Sequence, residues 1–520
     1  MVSDVRQKSL DDNTSDLEAN KASAQDATTT NATDERAASK PDPDLVDWNG
    51  EDDPEKPVNW TMKKKWTNGG LLAAMTLVTP LASSMFAPGV EDVMIEFHST
   101  STMLASFVVS VYILGYCIGP LFVAPLSEMY GRVPVYHVSN VFFVIFTIAC
   151  AVSTSMPMLI VFRFFAGVMG STPLSIGGGT FGDMFRVEER GAAVAVWSMG
   201  PLMGPVIGPI AGGFLAEDVG WRWVFWIIAM AAGVLTVVML LFLRETYGIA
   251  LLHQKAKRLR KETGNLKLRS AEDLGLTPTE LFKISIFRPI KLLLFSPIVL
   301  CLSIYIAFVY GILYLLFTTI TSVFTDTYGF SQGLAGLAYL GIGIGMFLGL
   351  IIVGFSSDRL LKKLIASNNG VVKPEYRLPP MVVAGLILPM GLFLYGWTAE
   401  YEIHWIVPII GTGLVGFGLI GSFVSVALPI SISSSMLTDS QIPNSTYLID
   451  AFGIHSASAI AANTVLRSLF GALIPLAGPA MYEKLGLGWG NSMLGFIALA
   501  MVPIPLVFLK FGERLRLKQV

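Results

Sequence analysis

Past residue 60 the chain alternates long apolar runs with polar joins. Twelve runs can be marked, at about 66–88, 103–126, 133–153, 157–181, 191–216, 221–243, 295–323, 332–356, 380–398, 403–430, 447–479 and 489–511. Each is close to or beyond the roughly 17–25 residues that carry a helix across the hydrocarbon core of a bilayer. Backbone groups find no water there, so runs of this length predict helices rather than strands. One join, residues 244–294, is long, and it parts six runs from six. The pattern predicts an all-α membrane protein with twelve transmembrane helices in two pseudo-symmetric six-helix bundles. The bundles are expected over residues 61–243 and 295–511, with 244–294 as a cytoplasmic central loop and 512–520 as a cytoplasmic tail.

Composition removes the soluble alternatives. Of 520 residues 53% are apolar and only 14% charged, with a mean hydropathy of +0.61, against about 25% charged residues in a soluble domain. That excludes a soluble enzyme and a nucleic-acid binder, and the absence of a phosphate-binding Walker pattern argues against ATP as the direct energy source. The net charge of −2 hides an asymmetry, because residues 1–60 hold 15 Asp/Glu against 6 Lys/Arg and the remainder carries +7. Rich in Ser, Thr, Asn and Asp and without periodicity, residues 1–60 are expected to form a disordered acidic tail. They hold no apolar core of signal-peptide length.

Basic residues set the orientation. With the amino terminus inside, 32 Lys/Arg fall on the cytoplasmic side and only Lys484 and Arg222 on the other, so both termini are expected in the cytoplasm. The sequon Asn444-Ser445-Thr446 then also faces the cytoplasm and is expected to stay unmodified. Cys117, Cys150 and Cys301 lie in apolar runs and read as small core residues rather than a disulfide framework. Neither a metal site nor a cofactor is suggested, since no pair among His98, His137, His253, His404 and His455 has zinc-ligand spacing.

Ionisable and aromatic side chains inside the runs are the candidate machinery. Arg163 sits a few residues into the fourth run, where a guanidinium in hydrocarbon costs about 2.5–3.5 kcal/mol on insertion scales. It must face a wet cavity or a partner. One reading turns it toward such a cavity, with Gly167 and Gly170 clearing the face beside it; the other bonds it to backbone carbonyls as a structural residue. On the eleventh run Asp450, His455, Asn463 and Arg467 are polar, and Asn463 and Arg467 share a face. In the seventh, Tyr310, Tyr314 and Phe317 line one face, with Tyr305 nearby, either as an aromatic surface for flat cargo or as ordinary packing.

In the fifth run Gly200, Gly204, Gly208 and Gly212, followed by Gly213, make a stripe of small residues against which another helix can lie. Pro201, Pro205 and Pro209 each remove a backbone donor and bend the helix. Such packing is expected to seal the halves against proton leak. Glu128 and Arg132 after the second run, and Asp358 and Arg359 after the eighth, place an acid and an Arg in equivalent tight loops of the two halves. Duplicated bundles of this kind form many secondary transporters, with the substrate between the halves. Asp183, ending the fourth run on the same side, completes an acid–Arg–acid cluster that reads as a cytoplasmic gate or as a solvated ion pair. Asn444 or Ser445 is expected to cap the start of the eleventh helix.

Four stretches resemble a known family. Leu126-Ser127-Glu128 with Gly131-Arg132, Arg163-Phe164 with Gly167 and Gly170, Gly200-Pro201-Leu202-Met203-Gly204-Pro205-Val206-Ile207-Gly208-Pro209 with Gly212-Gly213, and Leu243-Arg244-Glu245-Thr246-Tyr247 are similar to motifs of the major facilitator superfamily. The match is to its fungal twelve-span drug:proton antiporter group. The resemblance covers the chain from about Asp47 onward. It implies the major facilitator fold, no enzymatic activity, and a monomeric plasma- or vacuolar-membrane pump exporting drugs, fungicides or self-made metabolites in exchange for protons. It also implies that Arg163 binds an anionic or carbonyl group of the cargo or modulates a nearby proton site, and that the Glu128–Arg132–Asp183 cluster latches the cytoplasmic side. Uptake of a nutrient or polyamine on the same scaffold is the alternative, and a membrane receptor or enzyme a remote one.

Two decoys fail on context. Gly411-Thr412-Gly413-Leu414-Val415-Gly416 spells a dinucleotide-binding pattern, with Asp439 further on, but it lies inside an apolar run instead of opening a soluble βαβ unit. Gly182-Asp183 resembles part of an intramembrane aspartyl protease motif, but Thr180 and Ile449 stand where that chemistry needs Gly and Tyr.

Overall fold

The computed structural model describes residues 44–271, 278–368, 373–427 and 456–517; residues 1–43, Asp439, Asn444, Ser445, Asp450 and His455 lie outside this range, so the expectations for them do too. The chain divides into two compact units, residues 1–49 with 251–274, and residues 50–250 with 275–520.

Among the described residues, the second unit holds eleven helical stretches long and apolar enough to cross a membrane. In order they are Met62–Glu96, Thr102–Tyr130, Arg132–Ala151, Met156–Met184, Glu189–Val219, Trp221–Phe242, Pro297–Tyr328, Gln332–Ser357, Pro379–Glu400, Ile406–Phe423 and Ile460–Gly512. The last has 53 residues, which at 1.5 Å per residue would reach about 80 Å, far more than one bilayer core. It breaks at Gly486, whose φ of 73° belongs to the left-handed region that suits glycine. That break makes the eleventh and twelfth spans, completing six and six.

Helix starts follow local chemistry. Ser101 and Ser296 open the second and seventh spans, each side chain accepting from a backbone N–H three residues on, at 3.4 Å, the usual N-cap bond. Between the second and third spans the turn is the single residue Gly131, at φ 94°. Glu128 is therefore in the last turn of one helix and Arg132 the first residue of the next, where a loop was expected. In the second half Asp358 and Arg359 likewise lie within the helix Leu340–Ser367 rather than in a tight loop.

Burial separates the spans into lining and lipid-facing. The most apolar window of the seventh is 78% buried, whereas those of the third and sixth are 39% buried, with Val234, Leu241 and Phe242 exposed on the sixth. Helices whose apolar faces stay uncovered have lipid as their solvent. This is a multi-pass membrane protein.

The expected central loop contains two helices, Gly248–Thr263 and Pro278–Phe295. In the first unit Leu45–Val46 runs parallel to Arg269–Ser270, and Lys255 Nζ donates to the Asp47 carbonyl at 3.0 Å. Residues 44–60, expected to be part of the disordered tail, hold this strand and the 3-10 turn Pro57–Asn59. Val46 and Trp60 find buried positions, which the polar average over 1–60 conceals.

Candidate functional site

Arg163, on the fourth span, is 1% exposed. Its Nη2 donates to the carbonyls of Ser83 on the first span, at 3.1 Å, and Val109 on the second, at 3.3 Å. The guanidinium carbon lies 4.8 Å from the Phe86 ring centre, 5.6 Å from Tyr112 and 5.7 Å from Phe225. All of these partners belong to the first half. A cavity of about 10 Å³, room for a single water, adjoins it between Ala82, Thr147 and Cys150. Gly167 and Gly170 do clear a face, and the second span fills it. A Cβ at Gly167 would strike the Tyr112 carbonyl, and one at Gly170 the Tyr112 hydroxyl.

Arg467, 8% exposed on the eleventh span, has a different setting. Its guanidinium carbon lies 5.1 Å from the Tyr310 ring and 5.0 Å from the Phe423 ring. Its buried Nε has no acceptor among the described residues. One helical turn earlier, the Asn463 Oδ1 is also buried without a donor. Neither arginine has a carboxylate partner among the described residues, where the ion pairs are Lys65–Glu189, Arg132–Asp183 and Arg222–Glu96.

Tyrosines join these two environments where the halves meet. Tyr310 and Tyr314 pack at 5.1 Å between ring centres and Tyr314 meets Phe317 edge-on at 5.3 Å, so the aromatic face expected on the seventh span is present. Tyr305 stands apart, bonded to Ser422 at 3.1 Å. Facing this stripe is a second pair absent from the sequence-based candidates, Tyr112 and Tyr116 on the second span, at 5.3 Å. Their i, i+4 spacing is the one that singled out Tyr310 and Tyr314. Ser83 and Tyr314 share a hydrogen bond of 3.1 Å across the halves, and Cys117 Sγ donates to the Val465 carbonyl at 3.4 Å.

At the end of the bundle nearest the central loop, Arg132 Nε meets Asp183 at 3.3 Å and its Nη1 donates to Ser127 at 2.8 Å. Glu128 is exposed and forms no ion pair among the described residues. The second acid is Glu245, which accepts from the backbone N–H groups of Arg132 and Val133 at 3.0 and 3.1 Å and from those of Thr246 and Tyr247. A carboxylate on the first free N–H groups of the third span satisfies donors and opposes the positive end of the helix. Arg132 also lies 4.8 Å over the Tyr247 ring. Arg359 is exposed.

The fifth-span stripe packs within its own half. Added Cβ atoms at Gly200 and Gly204 would sit 2.9 Å from the backbone nitrogens of Leu77 and Leu81, while those at Gly208 and Gly212 would strike Ser84 and the Met85 carbonyl. All four glycines thus bring the first span against the fifth, backbone to backbone. Other positions of the motif reach across to the second half: a Cβ at Gly343 would strike the Val206 side chain, and at the far end one at Gly213 would lie 2.6 Å from the Gln332 carbonyl and one at Gly336 2.8 Å from the Pro209 carbonyl. There the face opposite the central loop is latched, Glu217 accepting from the Gly333 N–H at 2.7 Å and Asp92 from Gln332 Nε2 at 3.1 Å. The dinucleotide-like glycines also serve packing, a Cβ at Gly411 lying 2.7 Å from Tyr395 N and one at Gly413 3.2 Å from the Gly341 carbonyl.

Comparison with known proteins matches this arrangement. A family model described as Major Facilitator Superfamily fits residues 72–441. The MFS-type transporter penM of Penicillium rubens is 58% identical over 475 residues, 91% of this chain and 90% of that protein. The efflux pump radE of Floropilus chiversii is 52% identical over 476 residues, covering 91% and 85%. Among solved structures, a partially occluded inward-open form of the xylose transporter XylE from E. coli superposes with a TM-score of 0.62 at 15% identity, over 86% of this chain and 98% of that one.

Proposed function

Because the chain belongs to the major facilitator superfamily and is a membrane transporter rather than an enzyme, we propose that it is a proton-coupled exporter of small amphipathic organic molecules. Drugs, fungicides or self-made secondary metabolites would leave by alternating access as protons return. The observation that carries this reading is the guanidinium-and-tyrosine cluster at the meeting of the halves, latched off on one side by Glu217 and Asp92. A central site closed toward one face is what a rocking two-half carrier needs.

The export direction draws on the fifth-span glycine–proline stripe and on the likeness to a protein named an efflux pump. The carrier is read as a monomer in the plasma membrane with both termini cytoplasmic, Arg132, Asp183 and Glu245 holding the opposite gate. Among the described residues the buried Asp and Glu are Asp53 and Glu375, both outside the spans, so this reading puts no proton on a buried carboxylate described within a span. Cells loaded with a panel of fluorescent amphipathic compounds provide the test. Cells lacking the chain should retain a subset that cells expressing it lose, and collapse of the proton gradient should abolish the difference. Equal retention across a broad panel, or accumulation driven by expression, contradicts export.

A further inference from the structure

Resting on that reading, we propose that the cargo is an organic acid, a flat amphipathic molecule whose ionised acid group is held by Arg467 while its ring system lies against Tyr310 and Phe423. The first reason is charge. The described interior of the spans contains two guanidiniums at least nine-tenths buried and no equally buried Asp or Glu. Arg keeps its proton, so this interior is a fixed positive region in a medium of low dielectric, where its field is strong. A cationic cargo would be repelled and an anionic one drawn in.

The second reason is the state of the donors. Arg163 also leaves its Nε without an acceptor, but it commits Nη2 to two carbonyls and is enclosed by its own half. Arg467 lies between two ring systems, and its buried Nε is left without an acceptor. A guanidinium presents its N–H donors in its plane as a fork that fits a carboxylate bidentately. Aromatic contacts leave those in-plane donors for a ligand.

The third reason is what surrounds the fork. Asn463 Oδ1, one turn away and 1% exposed with its residue, lacks a donor. The Tyr116 hydroxyl, from the other half and also buried, meets the Thr79 and Tyr112 side chains and lies within electrostatic reach of both Tyr310 and Arg467. Buried polar atoms are normally paired. Two unmet groups one turn apart on one span, Arg467 Nε and Asn463 Oδ1, with a tyrosine of the other half beside them, describe a site that a polar ligand completes, with Asn463 accepting from a hydroxyl of the same molecule.

Three anthracene probes of one shape separate the charges. 9-Anthracenecarboxylate, 9-anthracenemethanol and 9-(aminomethyl)anthracene are titrated by fluorescence against the full chain in lipid nanodiscs. The carboxylate should bind at least about tenfold tighter than the alcohol, with the ammonium weakest. Arg467→Gln should weaken the carboxylate by about tenfold or more and leave the alcohol within about twofold, and Arg467→Lys should recover part of the loss. Equal binding of carboxylate and alcohol, tighter binding of the ammonium, binding of none of the three, or a carboxylate affinity indifferent to Arg467→Gln would each overturn the assignment. Should a variant elute as aggregate, the ranking of the three probes on the unmodified chain decides. Export itself is read from retention in loaded cells, so the two proposals fail on different measurements.

Discussion

Arg163 and Arg467 are the same residue in the same solvent, a guanidinium buried among membrane helices beside aromatic rings, yet their surroundings assign them different work. Around Arg163 three rings and two backbone carbonyls from three neighbouring spans close in, all from one half of the molecule. Around Arg467 there are two rings and no hydrogen bond from the guanidinium among the described residues, beside the seam with the other half; an unmet Nε is common to both. Burial cost is similar for both and so does not distinguish them. What does is where the donors go: donors committed to the protein hold it together, and donors left over are offered to something else.

Four substitutions separate these roles, beginning with the largest effect. Arg163→Ala opens a cavity and removes the bonds that tie the fourth span to the carbonyls of Ser83 and Val109, so it should abolish transport and lower unfolding stability by about 3 kcal/mol or more, read by thermal melts in detergent. A normal melt with normal transport would erase the distinction. Arg467→Gln should reduce transport by about tenfold while shifting stability by less than about 1 kcal/mol, because few protein bonds are lost. A large stability loss there would make Arg467 structural too.

Tyr310→Ala strips away a ring that the cargo is proposed to lie against, and an aromatic pair of about 0.5–1.5 kcal/mol corresponds to a loss of about two- to tenfold in cargo affinity; an Arg163-centred site would not register it. Glu245→Gln touches neither arginine. It weakens the cap on the third span and should slow turnover by a few-fold with cargo affinity unchanged, which rate and binding measurements on one preparation resolve. A change in affinity without a change in rate would remove Glu245 from the gate.

Much of the fold was written in hydrophobic periodicity, because each span must satisfy its backbone by itself and so leaves a local signature. The twelfth crossing was legible as a separate run even though the backbone joins it to the eleventh through Gly486. Partnerships were less legible. The cost of a buried guanidinium flagged Arg163 and Arg467 equally, but the carbonyls on Ser83 and Val109 come from other spans and carry no side-chain signature. Glu245 escaped notice as a gate residue because its partner N–H groups lie 113 and 112 residues away. Its only local mark was a place in Leu243-Arg244-Glu245-Thr246-Tyr247. Tyr112 and Tyr116 could have been found by applying to the second span the spacing rule applied to the seventh. The fifth-span glycines were correctly read as a packing stripe, but not as one serving the first span, since a small residue does not name its neighbour.

The account depends most on a central site between two halves through which proton entry drives cargo out. The most direct measurement reconstitutes the full chain in liposomes loaded with 9-anthracenecarboxylate and follows its release under an imposed pH gradient, with Arg467→Gln beside it. The account predicts release that needs the chain, accelerates when protons can enter as cargo leaves, and falls about tenfold in Arg467→Gln. Release indifferent to the pH gradient, or equal in the two proteins, would contradict it.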